Sequence, residues 1–447
     1  MTVYLYQLEN LINILDEIIF EEEPSIFDEL TALDLLETSL NMIEIYINEN
    51  PTSISEPDFL EILKEELEEL IYTQFEDQIN KDNNIVDDID ELLEEALNIY
   101  MICFYSERSL QYSDNLHKID IKTDEDQVII ENQINYLRSK PQPSQRTPEW
   151  YIFRHNLITA SNAYKAFESQ SAQNQLIYEK CQPLKTDDNI KTVTVNVNTT
   201  FHWGQKYEPV SVLIYEYLYN TKVEDFGCIQ HETYHFIGAS PDGINVDRKS
   251  DLYGRMLEIK NIVNREITGI PKKEYWIQTQ LQMEVCNLDE CDFLETKFIE
   301  YENSLDFYND GDHYKSEKDE YKGIILYFNR NNGNPFYLYK PIEMIESTEV
   351  EIWEQKMIDL YQSEEFNMIW IKNIYWKLEK ISCVLILRNQ KWFQDNIGQL
   401  EKIWGIIEKE RITGYEHRAP NKKPKRENIT MYGDNNSNKC LLSIKKV

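Results

Sequence analysis

Apolar residues recur every third or fourth position through the first quarter of the chain. Leu8, Leu11, Ile12, Leu15 and Ile18-Ile19 form one stripe, Leu60, Leu63, Leu67, Leu70 and Ile71 a second, and Ile89, Leu92, Leu93 and Leu97 a third. That period gathers each set on one face of a helix. Pro24, Pro51 and Pro57 fall between the stripes, with Thr52, Ser53 and Ser55 in the breaks, so the pattern predicts separate helices over residues 1–115. Residues 116–145 carry few large apolar clusters and end in Lys140-Pro141-Gln142-Pro143-Ser144, which predicts a linker.

From Arg146 the pattern turns mixed. A helix is expected over 203–219, with Val212, Tyr215 and Tyr219 as its apolar stripe, then short strands joined by glycine-rich turns over 222–262. Helical periodicity returns from Tyr275 to Cys286, followed by an apolar strand from Cys291 to Ile299. Ile324–Tyr327 and Phe336–Tyr339 flank a polar turn and predict a hairpin. A strand at Ser382–Leu387 and a helix at Gln394–Glu410 close the ordered part. Residues 413–447 are polar and basic around Lys422-Lys423-Pro424-Lys425-Arg426, which predicts a disordered tail. The same basic run has the composition of a nuclear-localisation or DNA-contacting patch.

Composition sharpens this picture in three ways. At 447 residues and 53.4 kDa the chain has room for two or three domains. No segment approaches the roughly 18 to 20 apolar residues of a membrane span, and the acidic N-terminus has no basic leader region, so a soluble intracellular protein is expected. The seven cysteines are scattered, with no C-x-x-C pair, and read as reduced thiols. The net charge of −35 argues against a partner rich in phosphate until its distribution is counted. Residues 1–140 hold 35 Asp and Glu against 7 Lys and Arg, so most of the acidity belongs to the helical segment.

The candidate chemistry lies between Gly238 and Lys260. Gly-Ala-Ser-Pro-Asp-Gly-Ile precedes Leu257-Glu258-Ile259-Lys260. On a strand Glu258 and Lys260 share a face while Leu257 and Ile259 turn the other way. Asp242 with that pair brings two carboxylates and an ammonium to one place, a composition suited to Mg²⁺. Glu208, on the helix opened by Trp203-Gly204-Gln205, is a third carboxylate. Gln278 and Gln282 share a helix face at i,i+4 while Gln280 points elsewhere. Arg154 lies on the approach to a helix start near Ser161, an arrangement that suits a phosphate. His231-Glu232-Thr233-Tyr234-His235 matches H-E-x-x-H, a zinc motif that needs a helix. Short strands and a Pro-Asp-Gly turn crowd it, so a hairpin turn is expected there instead.

Taken in order, Arg154–Ser161 (R-x-x-x-I-T-A-S), Trp203–Glu208 (W-G-x-x-Y-E), Ser240–Gly243 (S-P-D-G), Leu257–Lys260 (L-E-x-K) and Gln278–Gln280 (Q-x-Q) resemble the phage lambda exonuclease and YqaJ viral recombinase nucleases. That family lies within the PD-(D/E)XK superfamily. The likeness covers residues 146–300 and resumes at Ser382–Glu410, which makes 301–374 an insertion within a nuclease domain spanning 146–412. It implies an α+β fold, an α/β/α restriction-endonuclease-like core with a central mixed sheet, here preceded by an acidic all-α domain. It further implies Mg²⁺, with Mn²⁺ as substitute, on Asp242, Glu258, the Ile259 carbonyl and Glu208, with Lys260 positioning the attacking water. Arg154, Ser161, Ser240 and Gln280, with Gln278 beside them, would hold the 5′-phosphate of a DNA end.

The activity so implied is Mg²⁺-dependent 5′→3′ hydrolysis of duplex DNA ends in viral recombination, repair or replication. Its partners would be DNA, a single-strand annealing or recombination protein, and further copies of the chain, since the family forms ring-shaped trimers. Its place would be the host cytoplasm, or the nucleus through the basic tail. Two other readings stand beside it: a structure-specific or restriction-like endonuclease with the same metal chemistry, and a non-catalytic binding protein acting through the acidic domain. For that domain, carboxylates imitating a DNA backbone and a plain solvated bundle are both open.

Overall fold

The computed structural model describes residues 27–50, 59–80, 85–104, 110–111, 122–145, 147–184, 196–197 and 199–419. The stripe from Leu8 to Ile19 and the basic run at Lys422–Arg426 lie outside the described residues. Among the described residues three helices come first: α1 (Glu29–Glu49), α2 (Phe59–Ile79) and α3 (Ile85–Phe104). Asp28 starts α1 by accepting from the Thr31 N–H, which satisfies one of the free donors at a helix start. In α2 the buried stripe is Phe59, Leu63, Leu67 and Ile71, and in α3 it is Ile89, Leu93 and Leu97. Leu60 and Leu70, also expected on the buried stripe, face solvent, because a four-residue repeat from Phe59 already fills the seam.

The expected linker is corrected by the structure: its larger part is α4 (Asp124–Ser139). Thr123 and Asp126 form a reciprocal capping box at its start, and Ile134 and Leu137 are buried. Only those two side chains of the helix are fully covered, so the hydrophobic signal was weak. Polar contacts fix it to the rest of the chain: Lys122 Nζ donates to Tyr253 O at 2.8 Å and Gln133 Nε2 to Cys286 O at 2.7 Å. The core of the three-helix bundle is continuous with that of the following domain.

The central sheet has eight strands. β3 (Val223–Glu224), β6 (Gly243–Asn245), β7 (Met256–Asn261), β8 (Glu290–Glu300), β11 (Ile369–Leu387), β9 (Lys322–Asn329) and β10 (Pro335–Tyr339) follow one another across it, and β1 (Leu110–Gln111) pairs with β11. β7 and β8 run parallel and the other pairs are antiparallel. A smaller sheet sets β5 (Ile237–Ala239) between β2 (Ile158–Thr159), parallel to it, and β4 (Ile229–Gln230), antiparallel.

Helix α8 (Thr200–Tyr219) covers one face of the large sheet, where its Tyr215 packs on Leu257, Ile259 and Leu294. α9 (Lys273–Cys286) covers the other with Trp276, Ile277 and Leu281, backed by α12 (Gln390–Thr413). This is the expected mixed sheet between helical layers. The expected hairpin is β9–β10, and it extends the central sheet because β11 spans 19 residues and pairs with β9 along one part and β8 along the other.

Candidate active site

Strand β6 leaves β7 early, and that departure builds the site. The two pair only at Gly243↔Leu257 and Ile244↔Met256, after which the Asp242 N–H donates to Leu257 O at 3.1 Å. One step further the Asp242 side chain replaces the missing strand: its Oδ2 accepts from the Ile259 N–H at 2.7 Å. Within a strand the N–H and C=O of one residue point to the same edge, so the Ile259 carbonyl faces Asp242 as well. Glycine follows Asp242 because a Cβ at 243 would sit 2.1 Å from Val223 Cγ1.

On the opposite face of β7, Glu258 is 1% exposed beneath α9. Gln278 Nε2 donates to its Oε1 and Gln282 Nε2 to its Oε2, each at 2.7 Å, and Lys260 Nζ donates to Oε1. Gln282 Nε2 also lies 3.1 Å from Ser240 O, which ties the Ser-Pro-Asp turn to the same carboxylate. Gln282 is the residue that the motif Q-x-Q misses. Its signal was the i,i+4 relation to Gln278, which puts both amides on the face that meets β7. Gln280 is not brought to this group: its Nε2 donates to Leu387 O at 2.9 Å and its Oε1 accepts from the Asn389 N–H at 2.6 Å. Both ends of its amide hold the corner between β11 and α12, which removes it from the anion pocket that the motif implies.

Charge is concentrated around the buried Glu258 carboxylate. Burial, then the Glu258 and Glu208 carboxylates, push the Asp242 pKa well above the carboxylate range. Burial opposes the charge of Lys260, but the Glu258 and Asp242 carboxylates outweigh it and raise its pKa above that of an ordinary lysine. Lys260 is thus an ammonium, and it lies 5.0 Å from the Tyr275 ring centroid, a cation–π distance. Glu208 is exposed on α8, eight residues past its start at Thr200, and acts on Asp242 through its charge.

Asp242, Glu258 and the Ile259 carbonyl offer oxygen donors only. Among the described residues no three His, Cys, Asp or Glu side chains are grouped to hold a metal ion, so these donors make no all-protein cage. A hard cation that keeps most of its water suits them, and the buried Gln282 Oε1, which has no protein partner, leaves an acceptor beside Glu258 for such a water. The site residues therefore fit Mg²⁺ or Mn²⁺. The H-E-x-x-H segment occupies the turn between β4 and β5, not a helix, and His231 Nδ1 accepts from the Thr233 and Tyr234 N–H groups at 3.0 and 3.1 Å.

A second group of polar side chains lies where β2 and β5 end side by side. β5 leads to Ser240, and β2 leads through the short helix α6 (Ala160–Ala163) to Ser161. Arg154 ends helix α5 (Pro148–His155), its guanidinium carbon 4.7 Å from the Trp150 ring centroid. Burial raises the pKa of the Cys228 thiol, and the neighbouring Arg154 charge and Ser240 hydroxyl offset part of that rise. Arg154 and Ser240 therefore both lie beside Cys228. Ser161 is exposed at the margin of this group, with Oγ 3.4 Å from Thr159 Oγ1.

Residues 149–289 match the model of the YqaJ-like viral recombinase domain. An uncharacterised protein of Acanthamoeba polyphaga mimivirus is 29% identical over 307 residues, covering 62% of this chain and 54% of its own length. The chain thus matches about half the length of that relative. Two solved structures of an alkaline exonuclease from Laribacter hongkongensis, one in complex with dAMP, are 18% identical, with TM-scores of 0.31 and 0.32. They cover 61% of this chain and 100% and 95% of their own. Residues 149–289, which carry Asp242, Glu258, Lys260 and Arg154, are the part of the chain that is similar to the YqaJ-like viral recombinase domain.

Proposed function

We propose that the chain is a Mg²⁺-dependent DNA nuclease that hydrolyses phosphodiester bonds from the 5′ ends of duplexes. One observation carries this reading: two carboxylates, a main-chain carbonyl and a lysine converge where β6 parts from β7, with Asp242 Oδ2 fixed on the Ile259 N–H at 2.7 Å. Asp242, Glu258 and the Ile259 carbonyl would hold the cation, with Glu208 on its outer side. When bound, Mg²⁺ supplies Lewis-acid stabilisation of charge building on phosphorus and lowers the pKa of its water.

The protein's own groups do the rest. Gln278 and Gln282 fix both oxygens of Glu258, so that carboxylate does not reorganise during the reaction. Lys260, kept cationic by its neighbours, orients the attacking water and offsets negative charge on the phosphoryl oxygens. Arg154 and Ser240, with Ser161 at the margin, receive the terminal phosphate; that pocket is what makes the enzyme end-directed and gives it 5′→3′ polarity. A strand processed this way leaves a 3′ single strand for a recombination protein.

The test is linear duplex with and without a 5′-phosphate, plus Mg²⁺, set against a closed circle. Mononucleotide release from the phosphorylated duplex, abolished in Asp242→Ala and Lys260→Ala, is expected. Equal cutting of the circle would replace this reading with an endonuclease of the same chemistry. No hydrolysis with either metal would favour a binding role.

A further inference from the structure

One buried cation has no part in the chemistry above. Lys180, in the last turn of α7 (Gln170–Cys181), is 8% exposed and donates from Nζ to Arg154 O at 2.8 Å. Arg411 of α12 reaches the same place, donating to Lys180 O at 3.0 and 2.9 Å and to His155 O at 2.7 Å. His155 Nε2 lies 2.9 Å from Gln182 O and its Nδ1 3.3 Å from Arg411 Nη2, which places the proton on Nε2. Two cations thus staple the C-terminal ends of α5 and α7, where free carbonyls and the helix dipole favour positive charge.

The consequence falls on Arg154, whose own carbonyl Lys180 holds. The charged and titratable groups that face Lys180 are Arg154 and His155 from α5, Arg411 from α12, Cys228 from the loop before β4, and Glu179 from its own helix. The single acid among them is shared with Lys165, at 2.9 Å. Positive charge is therefore in excess around a pocket that also presents the Ser240 hydroxyl. A phosphate monoester dianion is the complementary ligand, since a diester carries half the charge and no free end. Resting on the end-directed reading above, we infer that Lys180 is a positioning residue for a terminal phosphate monoester. It fixes the Arg154 main chain and adds a buried positive charge to that of Arg154, so recognition of that phosphate depends on pH. Burial, then Arg154 and Arg411, lower the Lys180 pKa to about 8, whereas a phosphate monoester is dianionic above its second pKa of about 6. The pocket loses a charge while its ligand keeps both.

The experiment binds the full chain to fluorescent duplexes ending in 5′-phosphate or 5′-hydroxyl, without divalent metal, at several pH values from about 6.5 to 9.5. Wild type is expected to favour the phosphate about tenfold near pH 7, the worth of one charge-assisted hydrogen bond, and less than about threefold at the alkaline end. Lys180→Met should show the small ratio throughout. Lys180→Gln, which keeps a donor for Arg154 O without the charge, should behave like Lys180→Met if the charge matters. Wild-type preference and wild-type pH dependence in either folded variant would overturn the role of Lys180. Absence of any phosphate preference in wild type would instead overturn the end-directed pocket.

Discussion

Replacing Gln282 and Gln280 by methionine separates the geometry of α9 from its motif. Both side chains are buried, at 0% and 1% exposed, and methionine keeps nearly the same volume. Gln282→Met removes a 2.7 Å bond to the Glu258 carboxylate and a 3.1 Å contact with Ser240 O. A hydrogen bond to a charged group is worth about 1.5 to 3 kcal/mol and a neutral one about 0.5 to 1.5, so the loss is about 2 to 4.5 kcal/mol. Part of it falls on the placement of Glu258, which the proposed function makes a metal ligand, and removing a residue that orients such a ligand typically costs about 10- to 100-fold in metal affinity or activity. Gln280→Met also breaks two bonds, to Leu387 O and the Asn389 N–H, but at the corner between β11 and α12. It should lower stability by about 1 to 3 kcal/mol while single-turnover hydrolysis changes less than about threefold. The assays are urea unfolding and single-turnover cleavage of 5′-phosphorylated duplex, with Mg²⁺ titrated for both variants. Loss of rate in Gln280→Met with full rate in Gln282→Met would refute this assignment and restore the motif's.

Three further outcomes are expected. Arg255→Met should destabilise the chain by about 3 to 5 kcal/mol in chemical denaturation, because it strands Asp292, itself 0% exposed, whose carboxylate Arg255 meets at 3.1 Å. Gly243→Ala should cost about 1 to 3 kcal/mol from the 2.1 Å clash with Val223, and Val223→Ala in the same chain should recover much of it. For Lys180, a folded pKa of about 8 lies below the ordinary value of 10.5, so the unfolded chain binds more protons between the two. Wild-type stability should therefore gain, relative to Lys180→Met, as pH rises from about 8 towards 10.5; a difference independent of pH would refute the burial of that charge.

Local pattern carried much of the architecture. Alternation along Leu257–Lys260 fixed which residues share a face, since side chains on a strand alternate whatever covers them. Helical spacing located α2, α3 and α9 for the same reason, and short strands with a Pro-Asp-Gly turn were enough to deny the H-E-x-x-H segment a helix. The helix α4 was hidden because its burial is slight and its anchors, Lys122, Gln133 and the capping box, are polar. Glu258 and Lys260 looked like one charged face of a strand; that this face lies under α9 follows from packing between distant segments.

The site divides along the same line. Which residue types could act was already in the sequence, because Asp242, Glu258, Lys260 and Arg154 are set by their own chemistry and by short-range spacing. Which of them come together was decided by tertiary structure. Gln282 replaces Gln280 beside Glu258 because α9 meets β7 at one rotation about its axis. Lys180 reaches Arg154 and Arg411 reaches Lys180 and His155 because α7 and α12, separated by more than two hundred residues, end at the same place. A periodicity can assign a side chain to a face, but only the packed chain determines what that face meets.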